Sequence, residues 1–129
     1  MRKWTLKGAH KRAWKAFSDY IRKKYAKGDY VTCFTCNRVK HWKEMNAGHF
    51  KHGVLDFDEI NIHVQCVYCN RHLSGNLSVY AERLINKYGL DEFNALCKRA
   101  SMALKDEKKT IEEYLAIESK YIDLFNKLK

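Results

Sequence analysis

Apolar residues recur at helical spacing toward both ends of the chain and lose that spacing in the middle. Trp14, Phe17, Ile21 and Tyr25 fall at i, i+3, i+7 and i+11, one stripe of a helix. The spacing predicts a helix over 10–26, with Lys11, Arg12, Lys15, Arg22, Lys23 and Lys24 covering much of its remaining surface. Gly28-Asp29 breaks it. Residues 30–76 read as short strands, turns and knuckles, punctuated by Gly48, Gly53 and Gly75. From about Val67 the chain is expected to turn helical and stay so to Tyr88, with Gly89 as the C-terminal stop. Another helix is expected over 91–104, capped by Asp91, and a last one from Thr110. Thr110-Ile111-Glu112-Glu113 fits a capping box, in which each end of the motif satisfies a free N–H. Ile111, Tyr114, Leu115, Tyr121, Ile122, Phe125 and Leu128 give the last helix an apolar face, to be covered by the body of the protein or by a second copy.

These elements predict an α+β fold, mostly helical, in a single domain over 1–129. A basic N-terminal helical arm (1–29) and C-terminal helices (90–129) flank a metal-stapled core (30–89). At 46% hydrophobic residues the chain can build a core, and the absence of proline favours uninterrupted helices. No uncharged apolar stretch of about 18 residues exists to span a membrane. The basic start, Met1-Arg2-Lys3-Trp4, is followed by no apolar region, so a secretory signal is not expected.

The charge of +10 is unevenly spread. Residues 1–53 carry 14 Lys and Arg against 3 Asp and Glu, whereas residues 54–129 carry 11 against 12. The positive excess therefore belongs to the first two-fifths of the chain, and such a field attracts polyanions. The expected nucleic-acid contacts are Lys11, Arg12, Lys15, Arg22, Lys23 and Lys24 on the first helix, with Lys51, Arg71 and Asn76 beyond it. Nothing resembles a helix dedicated to reading base edges, so contact with the backbone is expected.

Four of the five cysteines form two tight pairs, Cys33-x-x-Cys36 and Cys66-x-x-Cys69, with 29 residues between them. A Cys-x-x-Cys turn aims two sulfurs at one ion, and two such turns complete the tetrahedron zinc prefers. Four protein ligands leave no open position, so this zinc is structural and replaces core that the middle segment lacks. Cys97 lies alone in a helical stretch and is expected to be a buried small hydrophobe.

Interlaced with the second knuckle are His49, Asn61 and Asn70, in Ala47-Gly48-His49-Phe50 and Asn61-Ile62-His63-Val64-Gln65-Cys66-Val67-Tyr68-Cys69-Asn70. Hydrolysis of a phosphodiester needs a deprotonated water, stabilisation of developing charge and help for the leaving oxygen. A neutral histidine can take the proton at physiological pH. A hard cation, Mg²⁺ or Mn²⁺, stabilises the charge, and an asparagine oxygen is a suitable neutral ligand for it. His49 is therefore read as general base and Asn70 as ligand of the catalytic cation. Asn61 either orients His49 or braces the loop between strands. His63 shares strand parity with Asn61 and Gln65, and either contacts phosphate, assists catalysis or hydrogen-bonds within the fold. His41, His52 and His72 are expected at the surface or against phosphate. This set resembles the HNH motif in its H-N-N form, which implies a zinc-stapled ββα-metal (treble-clef, HNH-like) core. Most HNH sites carry an acidic metal ligand just before the base; here that residue is Gly48. Asp56, Asp58, Glu59 and Asn46 are the nearby residues that could help, none with a clear claim.

Over most of its length the chain resembles the NinG (Rap) recombination proteins of phage lambda. The resemblance rests on residues 13–22, Cys33-Phe34-Thr35-Cys36, Ala47-Gly48-His49-Phe50, residues 57–66, Cys69-Asn70-Arg71, Ser74-Gly75-Asn76 and Thr110-Ile111-Glu112-Glu113. It implies a structure-selective endonuclease acting on branched DNA, including Holliday junctions, in the cytoplasm of a bacterial host. It also implies a glycine before the base, whereas Asp56 stands where a basic residue is common. Ser74-Gly75-Asn76 is open to two readings, a close approach for phosphate or a helix kink. Near-symmetric cutting of a junction suits a C2 homodimer, with the final helix as candidate interface. The competing expectation is a non-catalytic zinc module that binds nucleic acid as a recombination accessory; an RNA-directed nuclease or toxin is a third.

Overall fold

The structure, a computed structural model, describes residues 4–104 and 108–128. Four α-helices, α1 (Leu6–Lys23), α2 (Leu77–Tyr88), α3 (Leu90–Met102) and α4 (Ile111–Asn126), surround two antiparallel hairpins, β1 (Tyr30–Thr32) with β2 (Val39–His41) and β3 (Asn46–His49) with β4 (Ile62–Gln65). The fold is mixed α+β and more than half helical.

Helix α1 starts earlier than its large apolar residues suggest, because the Thr5 hydroxyl caps it by accepting from the Gly8 N–H at 3.0 Å. It also ends at Lys23, so Tyr25 lies beyond it and is exposed. Its buried seam is Ala9, Ala13, Ala16, Phe17 and Ile21, three of the five alanine. Small side chains let α4 lie close alongside. Tyr114 and Tyr121 of α4 are buried in that contact, and the ring of Tyr121 meets Phe17 edge to face at 4.8 Å. Arg12 of α1 donates to Glu118 of α4 at 2.6 Å. The basic helix is thus packed along α4 rather than standing off as an arm. Of the two expected covers for the last helix, the protein's own α1 takes the Tyr114–Tyr121 face, leaving Ile122 as an exposed apolar residue on α4.

The β3–β4 hairpin pairs Gly48 with His63 and His49 with Ile62. All four residues of β4 are buried. Ile62 packs against Ala16, Phe17 and Ile21 of α1, whereas His63 turns to Tyr80 and Tyr88 of α2. One strand therefore has a helix on each side.

The expected single helix from Val67 to Tyr88 is broken. A π-turn covers Tyr68–His72, then Ser74, Gly75 and Asn76 adopt φ of 51°, 98° and 50° before α2 begins at Leu77. The Gly75 N–H closes back on the Cys69 carbonyl at 2.9 Å, so the knuckle turns the chain where a continuous helix would have carried it away. The triplet is accordingly a three-residue left-handed turn rather than a helix kink. Asp91 is not the cap of α3. Gly89, at φ 91°, ends α2 and also precedes α3, and Asp91 sits in the first turn, where its charge suits the helix dipole. The α4 capping box forms at both ends: Thr110 Oγ1 accepts from Glu113 N at 3.1 Å, and Glu113 Oε1 accepts from Thr110 N at 2.9 Å. Among the described residues no helix is long and apolar enough to cross a membrane.

The alanine seam makes a direct prediction. Ala13 is fully buried between α1 and α4. Ala13→Leu should cost about 1–3 kcal/mol by overpacking, read as a lower midpoint in urea, while Lys11→Ala on the exposed side leaves the midpoint within about 0.5 kcal/mol.

Candidate functional site

Each cysteine pair sits in a turn that follows a strand. Cys33 follows β1, where its N–H donates to Arg38 O at 2.8 Å and its carbonyl accepts from Asn37 N at 3.1 Å, with Asn37 in the left-handed region. Cys66 follows β4, and Cys69 lies in the π-turn. The four sulfurs lie within 4.8 Å of one another, and Cys36 and Cys66 are 3.6 Å apart. Tetrahedral zinc, with Zn–S near 2.3 Å, holds its sulfurs about 3.8 Å apart. The four cysteines are thus placed to hold a metal such as zinc, and an all-thiol set matches its preference. Desolvation pushes the Cys33 thiol up, but hydrogen bonds from the Thr35 hydroxyl and from backbone N–H groups outweigh it and bring the thiol down to about 6. That favours a thiolate at Cys33, whereas burial first pushes the Cys36 and Cys69 thiols up, so it is a bound cation that would ionise the whole set.

His49, at the end of β3, is held from three sides. Its ring stacks on Trp14 of α1 at 5.4 Å between centroids, 22° from parallel. Its Nε2 lies 2.9 Å from Asp56 Oδ1, and the other carboxylate oxygen is 4.0 Å from His10 Nε2. The His49 hydrogen bond comes first among the causes that hold the Asp56 carboxyl below its ordinary range. An ionised carboxylate can only accept, so the neutral ring carries its proton on Nε2 and leaves Nδ1 free. His52 lies beside it, ring centroids 6.1 Å apart, and its pKa is lowered by burial first and by His49 second. His52 Nε2 also lies 3.3 Å from where a Cβ on Gly75 would be. That imidazole connects the His49 side of β3 to the turn that follows the second knuckle.

Asn70 directly follows Cys69 within the π-turn, and its Oδ1 lies 3.1 Å from the position a Cβ on Gly48 would take. The knuckle thus brings the Asn70 oxygen against the residue that precedes His49. Gly48 is itself fixed by Tyr80, whose hydroxyl donates to its carbonyl at 2.7 Å. A side chain at 48 is excluded by Gln65, whose Oε1 would be 1.9 Å from the new Cβ.

Asn61 takes the second of its two expected roles. It is fully buried, its Oδ1 accepts from Lys51 N at 2.8 Å, and its Nδ2 donates to the carbonyls of Lys51, Val54 and Leu55. It braces the loop that carries His52 and Asp56 and touches no open surface. His63 likewise belongs to the fold rather than to phosphate. It is 4% exposed, its Nε2 is 2.9 Å from Tyr88 Oη, and its ring stacks on Phe34 at 4.1 Å. Burial, followed by the charges of Lys87 and Lys24, depresses its pKa to about 3, so it stays neutral. Asn76 also turns inward, its Nδ2 donating to Cys69 Sγ at 3.7 Å, away from a phosphate role.

The basic residues of α1 are less free than their number suggests. Arg12 pairs with Glu118, Lys15 and Arg22 with Asp19, and Lys24 with Glu59. Lys23 lies over the rings of Trp42 and Phe125. Among the described residues Lys11, Lys51 and Arg71 have no acidic partner, and Lys51 lies over the Phe50 ring. Trp14 and Tyr80 are site-shaping residues that sequence reasoning missed, while Asp56 and His52, expected as a candidate metal helper and as a surface or phosphate contact, lie instead against the His49 ring. Trp14 showed only as part of an apolar stripe, and only its i+4 spacing from His10 hinted at a shared face.

Two outcomes follow from this geometry. Removal of the metal by a strong chelator should abolish the cooperative thermal transition of the knuckle region, and Cys69→Ser should behave like the chelated protein. Gly48→Ala should lower stability by about 1–3 kcal/mol through its clash with Gln65. A double-mutant cycle with Gln65→Ala, followed by urea denaturation, should show favourable coupling between the two sites.

Comparison with known proteins adds the lineage. The family model described as bacteriophage lambda NinG protein matches residues 2–129. The chain is 36% identical over 118 residues to protein ninG of Escherichia phage 933W, covering 86% of this chain and 53% of that protein. It is 36% identical over 118 residues to protein ninG of Salmonella phage P22, again covering 86% and 53%. Against protein ninG of Escherichia phage lambda it is 35% identical over 118 residues, covering 86% and 52%. The chain thus spans about half the length of these curated relatives. No solved structure matches it significantly. With the whole of residues 2–129 aligned and more than a third of positions shared with phage relatives, the chain belongs to the bacteriophage lambda NinG family.

Proposed function

We propose that the chain is a metal-dependent, structure-selective endonuclease that hydrolyses phosphodiester bonds in branched recombination DNA such as a Holliday junction. Its core would be a zinc-stapled ββα-metal unit of the HNH type. The observation that carries this reading is the pairing of His49 with Asp56 at 2.9 Å, one residue along β3 from Gly48, against which the cysteine knuckle brings the Asn70 oxygen.

In this reading His49 Nδ1 takes the proton of the attacking water. Asp56 is a positioning residue: it holds the Nε2 proton, fixes the tautomer and stabilises the imidazolium as it forms. Trp14 fixes the plane of the ring by stacking. The Asn70 oxygen, with water and phosphate oxygens, would hold a Mg²⁺ or Mn²⁺ ion. When bound, that ion supplies charge stabilisation at the phosphate and the leaving 3′ oxygen. Lys11, Lys51 and Arg71 supply cations for the DNA backbone, without base readout. Membership of the NinG family supports recombination DNA as the substrate, and with it the cytoplasm of a bacterial host. The near-symmetric cuts of a junction favour a pair of chains.

The test is incubation with a four-way junction, a flap, a linear duplex and a single strand, with Mg²⁺, with Mn²⁺ and with chelator. The expected result is cleavage of the branched substrates, lost on chelation. His49→Ala should lower cleavage by about 10²–10⁴-fold with junction binding retained. Asp56→Asn should lower kcat by about 10–100-fold at unchanged KM, with partial rescue in Asp56→Glu; loss that only tracks unfolding would give Asp56 a structural role. Salt-sensitive binding with no cleavage under any divalent ion would replace this proposal with the non-catalytic zinc module.

A further inference from the structure

Gln65 closes β4, is fully buried, and has one half of its carboxamide fixed and the other half without a partner. Its Nε2 donates to Thr35 Oγ1 at 3.1 Å and to the Gly75 carbonyl at 2.9 Å. A carbonyl can only accept, so the orientation of the amide is determined. The oxygen must then point the other way, and Gln65 Oε1 is buried with no hydrogen-bond partner among the described residues. Native structures rarely leave such an acceptor unsatisfied without a role.

Oε1 points into the space left by the absent side chain of Gly48. It lies 1.9 Å from the position of a Cβ there, and Asn70 Oδ1 lies 3.1 Å from the same position. The two oxygens are therefore within about 5 Å of each other, the sum of those distances. Two ligands of one octahedral Mg²⁺, each at 2.0–2.1 Å, are separated by roughly 3 Å when adjacent and roughly 4 Å when opposite. Two neutral oxygens from side chains held by different anchors, one by the knuckle and one by Thr35 and Gly75, thus both border the Cβ position of residue 48.

We propose that Gln65 Oε1 and Asn70 Oδ1 together are the protein ligands of a hard divalent cation, Mg²⁺ or Mn²⁺, bound beside Gly48. The inference rests on the endonuclease reading for Asn70 and adds the second ligand. With no carboxylate in the set, the ion binds weakly until phosphate oxygens join it. The competing partner for Oε1 is Asn46 Nδ2, itself buried and unsatisfied, on the residue paired with Gln65 across the hairpin. A direct bond between the two amides, or one ordered water between them, would satisfy both without a cation.

The test is a crystal structure of the zinc-loaded chain grown with millimolar Mn²⁺, located by anomalous scattering. Mn²⁺ binding in solution is followed in parallel by electron paramagnetic resonance. The expected result is a second anomalous site, distinct from the cysteines, at coordination distance from both oxygens. In solution Asn70→Ala should weaken Mn²⁺ binding by about 10–100-fold. Gln65→Glu, which keeps the reach and adds a charge, should tighten it by about tenfold. If Gln65→Glu fails to fold, as zinc content and circular dichroism would show, the wild-type map decides alone. An ion held by Asn70 with Oε1 elsewhere, a water or Asn46 Nδ2 occupying Oε1, or no bound ion at all overturns the proposal. None of these readouts needs cleavage. A protein that cuts junctions with Gln65 off the metal loses only this ligand assignment, whereas one that holds Mn²⁺ on both oxygens and cuts nothing loses the nuclease reading instead.

Discussion

Four sulfurs within 4.8 Å of one another set the positions of everything around them. They join the turn after β1 to the turn after β4, and they form much of the local core: Cys33, Cys66 and Cys69 pack with Val31, Trp42, Met45 and Val64 in one buried cluster. A segment this short, with this much backbone in turns, could not bury enough apolar surface to order itself without such a staple. The consequences run outward one residue at a time. Asn70 is adjacent to Cys69, so its direction is fixed by the knuckle. The Gly75 N–H returns to the Cys69 carbonyl, and the Gly75 carbonyl then fixes Gln65. A metal held there, doing no chemistry itself, would thereby orient two of the groups on which the proposed chemistry relies.

The same strand serves two sides. Successive side chains of a strand point to opposite faces, so on β3 the space at Gly48 opens toward Gln65 and Asn70, while His49 faces Trp14 on α1. The knuckle can fix only the first side. The second depends on α1, and α1 depends on α4 through an alanine seam and the Arg12–Glu118 pair. The helices at the two ends of the chain are thus structural parts of the histidine's environment. A core cut down to the hairpins and α2 would keep the cysteines but lose the ring on which His49 stacks.

What could be read from the sequence was local. The capping box at Thr110 forms because its two partners are three residues apart. The cysteine cluster was legible because metal geometry constrains spacing within each pair. The connection between pairs followed from zinc's need for four ligands. What escaped was set by distant neighbours. Alanines at 9, 13 and 16 carry too little hydrophobic signal to mark a seam, yet their small size is why the seam exists. The helix expected through residues 73–76 breaks at Ser74-Gly75-Asn76, three poor helix formers, where the Gly75 N–H returns to the Cys69 carbonyl. His63 and Asn61 have the polarity of site residues, and only the packing of Phe34, Tyr80 and Tyr88 around one, and of the 51–55 backbone around the other, makes them internal. Asp56 lies seven residues from His49, a separation that gave no reason to pair them until the loop folded.

The basic surface shows the same division between what composition states and what packing decides. Arg22 and Lys15 share Asp19, but their side chains are 17% and 77% exposed. An exposed ion pair is worth about 0–1 kcal/mol, so a phosphate oxygen can displace Asp19 from Lys15 at little cost. Arg22 is different, because its guanidinium also lies over the Trp42 ring and donates to the Ser18 carbonyl. Removing it would leave half-buried partners unsatisfied. Arg12 is tied to a Glu118 side chain that is only 15% exposed, and that tie belongs to the α1–α4 contact. The cations free to meet a polyanion are therefore fewer than the sequence counts, and they include Lys11 and Lys15 on the outer side of α1 with Lys51 and Arg71 beyond it. Affinity for a polyanion and stability of the helix pair draw on separate residues of one basic segment, and a charge removed from the outer set should weaken binding without loosening the fold.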